Sequence, residues 1–201
     1  MILNDKSCEL DWQTRHKIIH GICEGLHHLH VECQDAPLVH EGFKPANVLL
    51  DNGMVPKLAD FCTSMAVTPR GYIAPEAMGT GKVTVKSNMY SLGILIIEIV
   101  TGDRCPSDES SGRSYIENAV KTWMQGSNVE LKYPSLEAGF IQQVECWISI
   151  GLNCVDIQPE RRPTIGQIMH FLETESASPE YYHYGEFILS SESSITAWSS
   201  S

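Results

Sequence analysis

Two groups of residues in this sequence are of the types that bind metal ions or move protons. In the first, Cys23, His27, His30 and Cys33 recur at steps of four, three and three, and i, i+4 and i+7 share one face of a helix. Thiolate and imidazole are the usual zinc ligands at such spacing. His28 breaks the set, however, and Leu26 and Leu29 belong to the same turn, so a packed helix is the preferred reading. The second group is a polar loop, His40-Glu41-Gly42-Phe43-Lys44-Pro45-Ala46-Asn47, followed by Ala59-Asp60-Phe61-Cys62. The side-chain oxygens of Asn and Asp are of the kind that hard cations such as Mg²⁺ accept. The plainer alternative, favoured here, makes Lys44, Asn47 and Asp60 hydrogen bonders that brace a loop.

Helical periodicity dominates the elements that must position these residues. Asp11 opens a pattern in which Trp12, Ile19, Ile22, Leu26 and Leu29 recur at steps of three and four, predicting a helix to about His30. Val48-Leu49-Leu50, the turn Asp51-Asn52-Gly53 and the stretch 55–58 predict a small hairpin, since Asn-Gly favours tight turns. Residues 60–76 have loop character. The stretch 86–101 is apolar nearly all round and ends at Gly102, which predicts a buried central helix with a glycine cap. A Ser/Gly/Asp-rich loop is expected at 103–113, and helices at about 114–125, 138–153 and 164–173. The last opens on a capping box, Thr164 and Gln167.

The 201 residues suit one compact domain and a tail, with 42% hydrophobic content. The net charge is −11, of which the five Glu of residues 173–201 supply −5, unopposed by Lys or Arg. Such a surface repels phosphate backbones and anionic lipid, which argues against nucleic-acid and membrane-surface partners. No apolar run is long enough for a signal peptide or a bilayer span. Seven cysteines without a C-x-x-C pair suggest reduced thiols and a cytoplasmic location. The tail is Ser-dense and aperiodic, and disorder is expected there. The predicted organisation is a lead-in at 1–9, one domain at 10–173, and the acidic tail at 174–201.

The polar loop and Asp60-Phe61-Cys62 are followed in order by Gly71-Tyr72-Ile73-Ala74-Pro75-Glu76, then Lys86-Ser87-Asn88-Met89-Tyr90-Ser91-Leu92-Gly93, then Pro159-Glu160-Arg161-Arg162-Pro163. The set resembles the large lobe of protein kinases, with its H-R-D-L-K-x-x-N, D-F-G, A-P-E and later Arg. Leu10-Asp11-Trp12, Gly25-Leu26, Leu29-His30 and Glu98-Ile99-Val100-Thr101-Gly102 are similar to plant receptor-like kinases. The resemblance covers about residues 8–173. It implies a kinase-like large lobe, mainly α with one small β-hairpin. Asn47 and Asp60 match the metal-holding positions, Lys44 the lysine facing the transferred phosphate, and Leu49 a cofactor-binding position. Glu76 and Arg162 match a buried ion pair that supports the fold.

The departures bear on activity. The family's catalytic Asp falls at Gly42, between His40 and Lys44, so no catalytic residue is intact. Glu41 replaces an Arg and would repel a phosphorylated loop, and as a neighbour pointing elsewhere it is a poor substitute base. Cys62 replaces the glycine of D-F-G, Pro69 removes a hydroxyl, and Asn88 stands where an Asp braces the catalytic loop. The Gly-rich loop and V-A-I-K lysine that cover nucleotide are not found in these residues. The resemblance with these departures implies an inactive kinase-like domain that binds other proteins, kinases or receptors among them, with Mg-ATP binding weak or absent. The alternatives are an active serine/threonine kinase whose small lobe comes from a longer transcript, and a non-functional truncated product. Two structural expectations follow: the apolar surface of Val48, Leu49 and Leu50 faces water, and Asn47 and Asp60 are both partly solvated.

Overall fold

Asp11 sets the start of the first helix. Its side chain accepts the Thr14 N–H at 2.8 Å, and helix α1 runs over Trp12–His27. The computed structural model describes residues 10–33, 36–61, 68–124, 129, 133–134 and 136–176. Beyond α1 the chain widens into a π-helical turn, His28–Glu32, closed by the Cys33 N–H on the His28 carbonyl at 3.1 Å. The expected end near His30 falls inside this turn.

The hairpin forms as two antiparallel strands, β1 (Val48–Leu50) and β2 (Pro56–Leu58), with Val48 opposite Leu58 and Leu50 opposite Pro56. It lies against α1, where two glycines one turn apart make room for it. A Cβ at Gly21 would meet the Pro56 ring at 2.7 Å, and one at Gly25 would meet the Leu58 side chain at 3.3 Å. This seating corrects the expectation of an exposed hairpin patch. Strand side chains alternate, so Val48 and Leu50 enter the core and Leu49 alone of the three is exposed.

Helix α2 (Pro75–Thr80) follows a 3₁₀ turn, Arg70–Tyr72, within a stretch read as loop to residue 76. Helix α3 (Val85–Thr101) starts at a capping box of Thr84 and Ser87 and ends at Gly102, whose φ of 72° is the left-handed conformation glycine adopts without penalty. It is buried over residues 87–101 because a core lies on each side. One is built from α1, the hairpin and the two last helices; the other holds Tyr72, Tyr90, Ile94, Ile97 and Ile116. The last carbonyls of α3 are taken up from three directions. Gly102 N–H bonds the Glu98 carbonyl, the Arg15 guanidinium the Ile99 carbonyl, and the Tyr133 hydroxyl the Val100 carbonyl.

Helix α4 (Glu109–Met124) begins earlier than the expected 114 and takes over the end of the predicted loop. Helix α5 (Ala138–Cys154) crosses α3 at a glycine pair, since a Cβ on Gly93 would lie 2.6 Å from the Gly151 carbonyl oxygen. Helix α6 (Ile165–Ser176) starts at the Thr164–Gln167 capping box, with Thr164 N–H on Gln167 Oε1 at 2.8 Å and Gln167 N–H on Thr164 Oγ1 at 3.2 Å. Among the described residues no helix is long and apolar enough to cross a membrane. Helix α6 carries three residues, 174–176, into the stretch expected to be a disordered tail, while the lead-in at 1–9 and residues 177–201 lie outside the described residues.

Candidate functional site

The loop at 40–47 hangs on His40, which is fully buried. Its ring packs on Phe43 and Phe61 at centroid distances of 5.4 and 4.9 Å. Nε2 donates to the Ala59 carbonyl at 2.9 Å, while Nδ1 accepts the Gly42 N–H at 3.2 Å. A nitrogen that accepts cannot carry a proton, so the ring is neutral and its tautomer is set by its neighbours. Burial lowers its proton affinity most; the Ala59 carbonyl and the nearby Asp60 oppose this, and Lys44 adds to it.

Gly42 is buried and its backbone is used on both sides. Besides its N–H, its carbonyl accepts Asn47 Nδ2 at 2.8 Å. Glu41 is exposed. Asn47 closes a 3₁₀ turn, Pro45–Asn47, and its carbonyl accepts the Ala59 N–H at 2.9 Å, extending the hairpin register by one pair. That pairing sets Asp60 across the hairpin's end from Asn47. Asp60 is exposed and has a φ of 61°, a left-handed conformation that Asp tolerates better than most side chains. The expectation of two partly solvated metal positions is thus corrected at Asn47, which is 4% exposed because its amide braces the loop from inside. Lys44 is half-buried, and Leu49 lies on the outward face of β1. The structure therefore brings His40, Gly42, Lys44, Asn47 and Asp60 to one end of the hairpin.

Glu76 and Arg162 form the expected ion pair elsewhere, in two parallel bonds of 2.7 and 2.8 Å. Arg162 is 1% exposed and also donates to the carbonyls of Asp156 and Lys86. Its guanidinium lies 5.2 Å from the centroid of the Tyr90 ring. Glu76 is less buried than expected. Burial would raise its carboxyl, but the Arg162 bonds and charge outweigh that and hold it below the ordinary range.

The first turn of α3 joins the two sites. Ser87 donates to Glu76 Oε1 at 3.0 Å, and the next residue, Asn88, bonds the His40 backbone. Sequence reasoning marked Asn88 as a substitution but missed its partner His30, whose Nε2 lies 3.2 Å from Asn88 Oδ1. It also missed a buried group in the second core. Glu98 Oε1 accepts the Tyr72 hydroxyl at 2.7 Å and the Cys105 N–H at 2.6 Å. Burial pushes its carboxyl up to about 7, against those two bonds and Arg104. A lone Glu inside the apolar run 92–100 was the available signal.

Pro69 precedes the 3₁₀ turn whose Arg70 N–H bonds the Ser107 carbonyl at 3.0 Å. Cys62 lies outside the described residues. The zinc reading of the first cluster fails: Cys23 is fully buried, His30 serves Asn88 and His27 serves Glu32. Among the described residues no three His, Cys, Asp or Glu are placed to hold a metal.

A family model, the protein kinase domain, matches residues 2–172. Cysteine-rich receptor-like protein kinase 27 of Arabidopsis thaliana is 35% identical over 189 residues, covering 86% of this chain and 29% of that protein. Cysteine-rich receptor-like protein kinase 6 of Oryza sativa subsp. japonica is 37% identical over 188 residues, covering 86% and 27%. Among solved structures, the pseudokinase domain of BIR2, an immune regulator of the RLK/Pelle family, matches with a TM-score of 0.72 at 25% identity, over 91% of this chain and 58% of that one. The chain thus spans less than a third of the length of these curated relatives.

Proposed function

The chain belongs to the protein kinase family, and from that premise we propose that it is a catalytically inactive member, similar to plant receptor-like kinases, that acts in signalling by binding other proteins, kinases or receptors among them. The observation that carries this reading is Gly42. The residue at the base position has no side chain, its N–H and carbonyl are both tied into the loop, and the adjacent carboxylate, Glu41, is exposed. Phosphoryl transfer needs a group to receive the acceptor hydroxyl's proton and to orient that oxygen, and such a base contributes about 10²–10⁴ in rate. The likeness to a domain described as a pseudokinase supports the same reading.

A second reading, an active kinase completed by a small lobe, draws on the retained Lys44, Asn47 and Asp60. Asn47 and Asp60 supply two oxygens where Mg²⁺ wants about six, so nucleotide phosphates would have to complete the shell. On the favoured reading Mg-ATP binds at about millimolar strength or not at all. A radiolabelled-phosphate assay separates the two. The 201-residue chain would be tested alone and fused to a relative's small lobe, each with and without the repairs Glu41→Arg and Gly42→Asp. Transfer is expected only from the fused and repaired protein, and weakly. Transfer by an unrepaired form, abolished by Asp60→Ala, would establish the second reading.

A further inference from the structure

The loop is held from α3 by an amide where an acid would also fit by size, and the two are not equivalent. Asn88 is 1% exposed and makes two bonds to one residue: Oδ1 accepts the His40 N–H at 2.8 Å, and Nδ2 donates to the His40 carbonyl at 2.7 Å. A backbone N–H only donates and a carbonyl only accepts, so chemistry fixes which way the amide faces. His30 Nε2, at 3.2 Å, donates to the same Oδ1.

A carboxylate at this position could keep the His40 N–H and His30. It has no proton for the His40 carbonyl and would face it oxygen to oxygen, a buried clash of like partial charges. The peptide between His40 and Glu41 is planar and trans, so its N–H points away from the side on which its carbonyl lies. An acid could bond both His40 N–H and Glu41 N–H only if that peptide turned over.

We propose that residue 88 selects the orientation of the peptide between His40 and Glu41, and that Asn88 holds it with the carbonyl turned inward. The inference rests on reading 40–47 as a degenerate catalytic loop and deepens that reading. The loop's altered shape is then written at position 88 as well as at 41 and 42, because the peptide it holds leads into Glu41 and, one residue later, Gly42. Repair at 41 and 42 alone would attach a base to a backbone still held in the other orientation. Asn88 is in this sense a positioning residue.

The test is nuclear magnetic resonance on the labelled full chain. In the unaltered protein a scalar coupling is expected across the hydrogen bond from the Asn88 side-chain nitrogen to the His40 carbonyl carbon. In Asn88→Asp the Glu41 amide should exchange with solvent about tenfold more slowly, since it gains a buried acceptor. In Asn88→Ala it should not slow, since no acceptor is offered. No coupling in the unaltered chain, or an unchanged Glu41 exchange rate in folded Asn88→Asp, would overturn the proposal. If Asn88→Asp does not fold, the coupling decides alone. These readouts are independent of catalysis: phosphate transfer by the unaltered chain would sink the inactive reading and leave this geometry standing.

Discussion

Arg162 is tied to its surroundings more firmly than its partner is. Its guanidinium serves Glu76, Asp156 and Lys86, and it is buried, whereas the Glu76 side chain is 25% exposed. Removing the two partners should therefore not be equivalent. Arg162→Ala leaves a cavity and a partly buried carboxylate, at a cost of about 3–5 kcal/mol. Glu76→Ala leaves a guanidinium that still reaches two carbonyls, and should cost less, about 1–3 kcal/mol. Asn47→Ala frees the Gly42 carbonyl and should cost about 1–2 kcal/mol. Asp60→Ala places a less tolerant side chain at a left-handed φ, for about 1 kcal/mol. Urea melts of the four variants check the order, and equal shifts at 76 and 162 would contradict it. The ion pair was legible in the sequence because two charges stand at motif positions. The burial of Asn47 was not, because it depends on where the amide nitrogen finds an acceptor, and that acceptor is a backbone carbonyl with no signature in the sequence.

Among the elements, the crossing of α3 and α5 depends on close backbone approach. A methyl at Gly93 would lie 2.6 Å from the Gly151 oxygen and 2.7 Å from Cys154 Cβ, so one helix must move. Overpacking of this kind costs about 1–3 kcal/mol. Gly79, within α2, has nothing within 4 Å of a Cβ, and there alanine should stabilise by up to about 1 kcal/mol through helix propensity. Gly93→Ala should thus lower the melting midpoint and Gly79→Ala hold or raise it. The helices that carry their own punctuation were readable beforehand: Asp11 starts α1, Gly102 ends α3, and Thr164 with Gln167 starts α6. Helix α2 was not, since six residues opening on Pro75 show no periodicity and are held by tertiary contacts. The start of α4 was missed for the opposite reason, because Ser and Gly at its first turns have the composition of a loop. The hairpin was found, but its expected exposed surface ignored the alternation that its own strands impose.

Across the whole molecule, buried groups of opposite sign titrate in acid, and protonation of the buried imidazoles opposes folding. His16 accepts the Trp147 indole N–H at 2.8 Å, His40 accepts the Gly42 N–H, and His30 is half-buried against Asn88. Burial is the largest cause in each case, and all three bind protons less readily than the ordinary value of 6.5 implies. The unfolded chain therefore takes up more protons, so their contribution is full above about 6.5 and is lost as pH falls. Glu98 has the opposite sign. Its folded carboxyl is raised from 4.5 to about 7, so its contribution is full below 4.5 and is lost as pH rises toward 7. Between pH about 6.5 and 4.5 the two signs compete, so any fall in melting temperature should be shallower than the three histidines alone would impose. Glu98→Gln keeps an acceptor for Tyr72 and Cys105 while deleting the opposing titration, and should make that fall steeper. Melting curves from pH 8 to 4.5 on both proteins measure it; parallel curves would mean that Glu98 does not titrate as described.

The enclosure of α3 also governs time. Its side chains are buried over residues 87–101, and its final carbonyls are held by Gly102, by Arg15 from α1 and by Tyr133. An amide near its middle, such as that of Leu95, meets water only when the layers on both sides part together. Its hydrogen should then persist through every local fluctuation and leave at the rate set by opening of the entire domain. The exposed hairpin turn at 51–53, by contrast, can open without disturbing either core. Within one chain the slowest hydrogens would therefore act as a clock for the folded state as a whole, and that clock is set by α3.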